Sequence, residues 1–300
     1  MSIYEKQQTS GIKKCLAVQR EIYSEGKTRN TIQMILLMFS ASVMLFAASF
    51  PNALCCLEPE IVRAVAMTFN AACIVCMQVL ADNCKNKQAQ AADVQQYIDA
   101  HLYSEAIGNA EKDWRHVKDK TEIDEILSHY PAYDGSHMGA WYENYSEYLP
   151  LVQVLKCQME NICWDDYLRQ YYLWGVYGVS AAIVILSLAV FCLAQNKAVV
   201  FCMLLSSAFP VFKYCWTLWE KIGQERKNLD SMRKTSNHLL QKLLDEKIAE
   251  ADALAKVIDL QEQLFNHRKL CFLIPDWFHS RLFDFIHSRI SYKERCAKEK

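Results

Sequence analysis

The stretch GVSAAIVILSLAVFCLA, from Gly178 to Ala194, decides the fold class of this chain. It lies at the centre of a longer segment, between Gln170 and Asn196, in which no residue is charged. A helix of about 20 such apolar residues is long enough to cross the hydrocarbon core of a bilayer. The segment therefore predicts a transmembrane helix.

Three further apolar segments have the same character. Residues Thr31 to Phe50 contain no charge, and residues Ala64 to Ala81 form an uncharged run after Arg63. The run from Ala198 to Phe212 is shorter, but aromatic residues extend it, and the one lysine beyond it can snorkel to the interface. A buried core helix would explain the last segment alone, but it does not explain all four.

The positive charges orient these four spans. Six Lys and Arg lie in residues 1–29, eight in 82–169 and sixteen in 220–300, whereas the two short loops between paired spans hold one each. The positive-inside rule places the three basic regions, and hence both termini, in the cytoplasm. We predict an all-α integral membrane protein with four transmembrane helices in two hairpins and a helical cytoplasmic body. Its predicted parts are an N-terminal helix (1–30), hairpin 1 (31–81), a helical domain (82–169), hairpin 2 (170–219) and C-terminal helices (220–300).

Composition and motifs argue against catalysis. The chain has 33 Lys and Arg against 34 Asp and Glu, so it lacks the basic footprint of a DNA- or RNA-binding protein. The eight His are scattered, and no HExxH, GxSxG, P-loop or GxGxxG motif occurs. The thirteen Cys lack the spacing of a disulfide framework and read as reduced, mostly buried thiols. We therefore expect no enzyme activity, no catalytic residue, no metal site and no cofactor.

The few polar residues within the spans have two interpretations. They contact neighbouring helices, as Ser and Thr often do, or they line water in a pore. The candidates are Ser42, Ser49, Asn70, Ser180 and Ser187. Four apolar helices are too narrow for a wide aqueous pore, so a pore requires several copies of the chain or a rearrangement. A homo-oligomer is the expected assembly.

The middle segment combines aromatic residues with arginine, at Trp114-Arg115 and at Trp141-Tyr142. Bases stack on aromatic rings, and an arginine fork pairs with phosphate. These residues suit a small nucleotide ligand. The alternative is that the aromatics form the core of a helical domain, and on these residues alone that alternative is the stronger.

Five motifs, in order along the chain, carry a family resemblance. They are AVQREIYSEGK (Ala17–Lys27), VQQYIDAHLY (Val94–Tyr103), WYENYSEYLP (Trp141–Pro150), CQMENICWDDYLRQYY (Cys157–Tyr172) and IPDWF (Ile274–Phe278). Their order around four spans resembles the SMODS-associated four-transmembrane effector family, the pore-forming effectors of bacterial cyclic-oligonucleotide (CBASS) anti-phage systems. Gly26 stands where an alanine is expected.

The resemblance implies a function. A partner nucleotidyltransferase that senses phage would make a cyclic di- or trinucleotide, and the chain, held silent in the bacterial inner membrane, would bind this molecule. It would then permeabilise the membrane and stop the cell before phage release. The alternative function is a membrane-anchored scaffold that recruits a partner through its C-terminal helix, without conductance.

Residue roles follow within this interpretation. Arg115, Trp141 and Tyr142 are the predicted nucleotide contacts. Five residues on the helix that enters the third span have a spacing that places several on one face, and they form a predicted coupling network in which Arg169 can also reach the ligand. These five are Gln158, Asn161, Trp164, Asp165 and Arg169. Tyr23 and Lys27, one turn apart before the first span, would contact either the ligand or the phosphate of a membrane lipid.

Overall fold

A computed structural model describes residues 1–49, 58–105, 107, 114, 116–193 and 197–298. Within these residues the regular structure is entirely helical, which confirms the all-α prediction. The helices are α1 (Ile3–Lys6), α2 (Ser10–Ser49), α3 (Pro59–Tyr103), α4 (Lys120–Ser128), α5 (Pro150–Leu193), α6 (Lys197–Leu244), α7 (Glu250–Leu270) and α8 (Asp276–Lys298).

Four of the helices are far longer than a membrane is thick. Helices α2, α3, α5 and α6 contain 40, 45, 44 and 48 residues. At 1.5 Å per residue they measure roughly 60 to 72 Å, about twice the hydrocarbon thickness. Each helix therefore has an apolar half and a polar half and continues unbroken from one to the other.

The apolar halves remain largely uncovered. Within the part of the chain that the structure describes, one helix, Glu60–Tyr103, has the length and apolarity required to cross a membrane, and little of its apolar window is buried. Large apolar side chains are also exposed on α2 and α5, for example Ile35, Phe39 and Ile185. The count of four spans stays a prediction.

The long helices pack as two antiparallel pairs, α2 with α3 and α5 with α6, and the pairs meet through α2 and α6. In the apolar half of the first pair, the Ser40 hydroxyl donates to Asn70 Oδ1, and Phe39 packs edge-on against Phe69 with ring centroids 5.7 Å apart. Further down, the carbonyl of Gly26 accepts from Cys84 Sγ at 3.3 Å. Polar contacts therefore fix the register of this pair along its length.

One hydrophobic core unites the polar halves. It draws on all three predicted cytoplasmic segments, because α7 packs between the polar halves of the long helices. Its fully buried members include Leu16 and Ile22 from α2, Val94 and Ile98 from α3, Leu155 and Ile162 from α5, Leu229 from α6 and Val257 and Leu260 from α7. The body is therefore a single packed unit rather than three separate ones.

We expect Gly135→Ala to destabilise this body. Gly135 has φ of +80°, and a Cβ at this position would lie 2.3 Å from the backbone carbon of Lys13 in α2. The strained φ and the clash together should cost about 1–3 kcal/mol of unfolding free energy. Thermal unfolding of the detergent-solubilised chain measures the effect. Gly139→Ala is the matched control, since its Cβ meets nothing within 4 Å, and equal midpoints for the two variants would contradict the assignment.

Candidate functional site

Tyr142 is the centre of a buried hydrogen-bond network. Only 2% of the residue is exposed, and its hydroxyl donates to Asp99 Oδ1 at 2.8 Å. The Tyr142 hydroxyl oxygen also accepts hydrogen bonds from Asn161 Nδ2 at 2.8 Å and from the Tyr103 hydroxyl at 3.0 Å. Its backbone N–H and C=O bond to the side-chain amide of Gln7. One tyrosine thus links the N-terminal segment, α3 and α5.

Asp99 extends this network to α7. Its Oδ2 accepts from Arg268 Nη1 at 2.6 Å and from Gln261 Nε2 at 2.9 Å. Gln261 Oε1 in turn accepts from Gln158 Nε2 at 3.0 Å. Burial acts to lower the pKa of Arg268, but the facing Asp99 carboxylate outweighs it and raises the pKa, so the guanidinium remains charged. Arg268 Nη2 is buried and bonds to none of the described residues.

A second buried charge cluster surrounds Arg169. Its Nε donates to Asp165 at 2.9 Å, and its Nη1 donates to Glu225 of α6. His267 Nε2 lies 2.5 Å from Asp165 Oδ2. Burial acts to raise the pKa of Asp165, but Arg169 and His267 outweigh it and hold the pKa well below its usual range. These contacts join α5, α6 and α7 around the Arg169 guanidinium.

The two clusters meet at the backbone of residues 268–273, which comprises the last three residues of α7 and the three residues that follow it. Each of the four long helices bonds to this backbone through one polar side chain, and we call these four side chains and the segment the root clasp. Gln88 Nε2 donates to the carbonyls of Arg268 (2.8 Å) and Cys271 (2.6 Å). Asn30 Nδ2 donates to the carbonyl of Leu273 (3.0 Å), and Arg169 Nη1 donates to the carbonyl of Phe272 (3.2 Å). The backbone N–H of Phe272 donates to the Glu225 carboxylate (2.7 Å).

The root clasp lies where the polar halves of the long helices meet their apolar halves. Asn30 and Arg169 directly precede the apolar segments of α2 and α5, and Gln88 and Glu225 follow those of α3 and α6 within two turns. At Gly26, a Cβ would come within 2.9 Å of the Leu273 side chain, so the absence of a side chain lets the segment pack closely on α2. The clasp therefore ties both helix pairs together at one level.

The predicted nucleotide contacts fall in different surroundings. Tyr142 and Arg169 are buried, and their polar atoms are engaged in the network above. Trp141 is half-buried, and its backbone N–H donates to Gln7 Oε1 at 2.9 Å. Arg115 lies outside the described residues. Their role as ligand contacts stays a prediction.

The predicted coupling residues do lie close together. Gln158, Asn161, Asp165 and Arg169 bond into the two clusters described above. Trp164 packs on α8, with its ring centroid 6.1 Å from His279 and 5.2 Å from Phe283. These contacts place the group among α3, α6, α7 and α8.

Of the two residues before the first span, Lys27 forms an ion pair with Asp276 at 2.7 Å. Tyr23 packs against the core, and burial raises its pKa. Of the span residues, Ser42 and Ser180 donate to carbonyls of their own helices, at 2.8 Å each, whereas Asn70 accepts from Ser40 of the neighbouring helix. The side chains of Ser49 and Ser187 lie outside the described residues.

A solvent-open groove of about 510 Å³ lies beside the first helix pair, between α3 and α4. Its lining carries three cations and three carboxylates together with amides such as Asn83, the charged residues being Arg29, Lys87, Lys118, Asp93, Glu122 and Glu125. The cations pair with acidic side chains, such as Lys87 with Glu25 at 2.8 Å. Among the described residues, no three or more His, Cys, Asp or Glu are grouped as metal ligands.

Sequence reasoning missed the residues on which the network depends, namely Asp99, Arg268, Gln261 and Glu225. One signal was present. Gln88, Gln95 and Asp99 lie on the same helical stripe as the apolar residues of α3, and polar residues on a buried stripe require buried partners. The sequence does not say which partners those are.

Among known protein families, a family model described as the SMODS-associating 4TM effector domain matches residues 1–294 of this chain. The chain belongs to this effector family. The resemblance stated from the sequence motifs is thereby confirmed. No curated protein and no solved structure matches the effector significantly.

We expect Arg169→Gln to destabilise the effector strongly. The variant leaves Asp165 and Glu225 without their shared cation, and breaking a buried ion pair from one side costs about 3–5 kcal/mol. The thermal unfolding midpoint of the purified chain should fall accordingly. Lys234→Gln is the control, because Lys234 is 77% exposed in its pair with Asp230, and such pairs contribute about 0–1 kcal/mol. Similar midpoints for both variants would show that the Arg169 cluster is not stabilising.

Proposed function

We propose that the effector is a bacterial anti-phage membrane protein that a cyclic oligonucleotide activates to permeabilise the inner membrane, which ends in abortive infection. Family membership supports the effector role. The association with SMODS-type nucleotidyltransferases in the family description supports a cyclic di- or trinucleotide as the activating partner. Both termini lie in the cytoplasm in this proposal, and α2, α3, α5 and α6 each cross the membrane once.

The root clasp is the observation that carries the proposal. It joins four helices of membrane-spanning length through buried charges and amides rather than through apolar packing alone. Such groups are tolerated inside a protein only while their partners are in place, so the arrangement has discrete states rather than a continuum. A ligand that favours another arrangement would therefore change all four helices together.

A continuous path connects the body to the clasp. Tyr142 bonds to Asp99, Asp99 bonds to Arg268, and the Arg268 carbonyl is held by Gln88. A displacement of Tyr142 is therefore transmitted to the clasp within three contacts. Moving an equilibrium from 1:99 to 99:1 requires about 5.5 kcal/mol of differential ligand affinity, which one arginine–phosphate fork with base stacking can supply.

The groove between α3 and α4 is a suitable entry point for an anionic ligand. Lys87 and Lys118 reach its surface, whereas Arg169 and Tyr142 are bonded to other residues in this conformation. Phosphates that replace the acidic partners of these lysines would act directly at the cytoplasmic ends of α2 and α3. The nucleotide contacts predicted from the sequence at Arg115 and Trp141 stay part of this proposal. Several copies of the chain would then form the permeable assembly.

Dye release tests this function. We expect liposomes that carry the purified effector to release trapped dye with one cyclic di- or trinucleotide and to retain it with the linear form of the same nucleotide. Cells should tolerate the effector alone and die when its cognate synthase is co-expressed. Silence across the panel, with insertion verified, would contradict gating and favour the scaffold function. Release without any nucleotide would contradict the silent resting state.

The clasp itself can be tested by Gln88→Ala. This change removes two hydrogen bonds to the 268–273 backbone and should weaken the resting arrangement by about 1.5 kcal/mol, which corresponds to an about ten-fold lower nucleotide concentration for half-maximal dye release. Gln224→Ala is the control, because Gln224 lies exposed on α6 and bonds only to Asn228 among the described residues. An unchanged or higher requirement in Gln88→Ala would show that the clasp does not hold the resting state.

A further inference from the structure

The contacts between α8 and α5 indicate that the two helix axes cross steeply. Trp164 of α5 contacts His279 and Phe283, whereas Tyr171 contacts Phe285 with ring centroids 5.4 Å apart. One turn beyond, Gly175 lies beside the ring of Phe278. Trp164 therefore contacts residues of α8 that centre on residue 281, and so do Tyr171 and Gly175, which lie about 10 to 16 Å further along α5 at 1.5 Å per residue. Two helices in contact behave this way only when their axes cross steeply.

The crossing divides α8 into two sides. One side, which carries Phe278 and Phe285, is turned toward the apolar half of α5. The other side carries Asp276, His279 and Phe283, which contact Lys27 and Trp164 of the body. The helical period places Trp277, Arg281 and Asp284 on a stripe that borders the first side, and the Arg281 guanidinium lies 5.8 Å from the Trp277 ring.

The first side is partly exposed. Phe278 packs against Tyr172, with ring centroids 5.1 Å apart, whereas Trp277 is 51% exposed and Phe285 is 43% exposed. At the same level, Trp174 and Tyr177 of α5 and Trp219 of α6 form an exposed aromatic cluster, with Tyr177 and Trp219 centroids 6.4 Å apart. Tryptophan and tyrosine rings at one level are typical of a membrane–water interface.

We propose that α8 is an interfacial helix whose exposed residues Trp277, Arg281 and Phe285 bind the surface of the lipid bilayer. This inference rests on the proposed function in one respect, namely that α5 crosses the membrane. If α5 runs along the membrane normal, a helix that crosses it steeply lies close to the membrane plane. Its apolar side chains then enter the boundary between headgroups and acyl chains, while Arg281 reaches the lipid phosphates.

This assignment has a structural consequence for the clasp. The last carbonyl of the clasp belongs to Leu273, and α8 begins three residues later at Asp276. The connecting residues Ile274 and Pro275 are buried. A helix held at the membrane surface would fix the height of the 268–273 segment relative to the bilayer. The four helices that bond to this segment would then pivot about a point of constant depth.

A matched pair of phenylalanines tests the proposal. Phe285 and Phe283 are exposed to similar extents, at 43% and 45%, but lie on opposite sides of α8. The full chain would carry Phe285→benzoylphenylalanine or Phe283→benzoylphenylalanine, in vesicles of equal parts phosphatidylcholine and phosphatidylglycerol. After irradiation, mass spectrometry should find lipid adducts at position 285 and none above background at 283. Equal labelling at both positions, or protein adducts alone at position 285, would overturn the proposal.

Tryptophan fluorescence gives an independent measurement. The fluorescence of Trp277 is obtained as the emission that the Trp277→Phe variant loses. This emission should be quenched by lipid with a nitroxide on its headgroup and protected from iodide in the water. Trp114→Phe is the control, since it gives the emission of a tryptophan buried in the body. Quenching by iodide alone would place α8 away from the membrane. Neither measurement needs nucleotide or conductance, so failed dye release from inserted protein would leave the inference intact. Failure of the chain to insert would overturn both proposals.

Discussion

Two arginines buried beneath the apolar helix halves set the central constraint on this structure. Arg169 and Arg268 have almost no exposed surface, and an unpaired charge in such a place costs several kcal/mol. Their carboxylate partners come from three different helices, since Asp165, Glu225 and Asp99 lie on α5, α6 and α3. The charges therefore specify which helices must be neighbours, a choice that apolar packing alone would leave degenerate.

The location of this cluster explains why it suits a switch. Above it, the helices of the first pair interact through small and apolar side chains and a few polar contacts such as that of Ser40 with Asn70. If these surfaces face lipid, as proposed, lipid would solvate them as well as another helix does, and helix association there would be weak and adaptable. Below it, a dense core fixes the body. The network lies between the packed body and the apolar helix halves. In the proposed function, a modest change in ligand-binding energy at this position would have its largest effect on the arrangement of the helices.

The 268–273 segment connects all four long helices although it is only a few residues long. The end of α7 and the three residues after it satisfy backbone hydrogen-bonding groups with side chains from all four long helices, and so they add to the direct contact of the two helix pairs through α2 and α6. Because α8 follows immediately, the position of that stretch depends on whatever α8 contacts. In the proposed function, the ligand-binding body, the ends of the four long helices and the membrane surface would all be connected through this one short segment.

The sequence by itself determined the helical class, the apolar segments and the family, because each depends on local periodicity, on uninterrupted apolar length or on motif order. It also placed Gln158, Asn161, Asp165 and Arg169 together, since residues three and four apart share a helix face wherever that helix packs. Only the tertiary structure decided that Tyr142 bonds to Asp99, that Arg268 rather than a ligand faces that carboxylate, and that α8 crosses α5. Those partners are separated by 43 to 169 residues in the chain, and no local pattern encodes which distant side chain fills a buried hydrogen-bonding position.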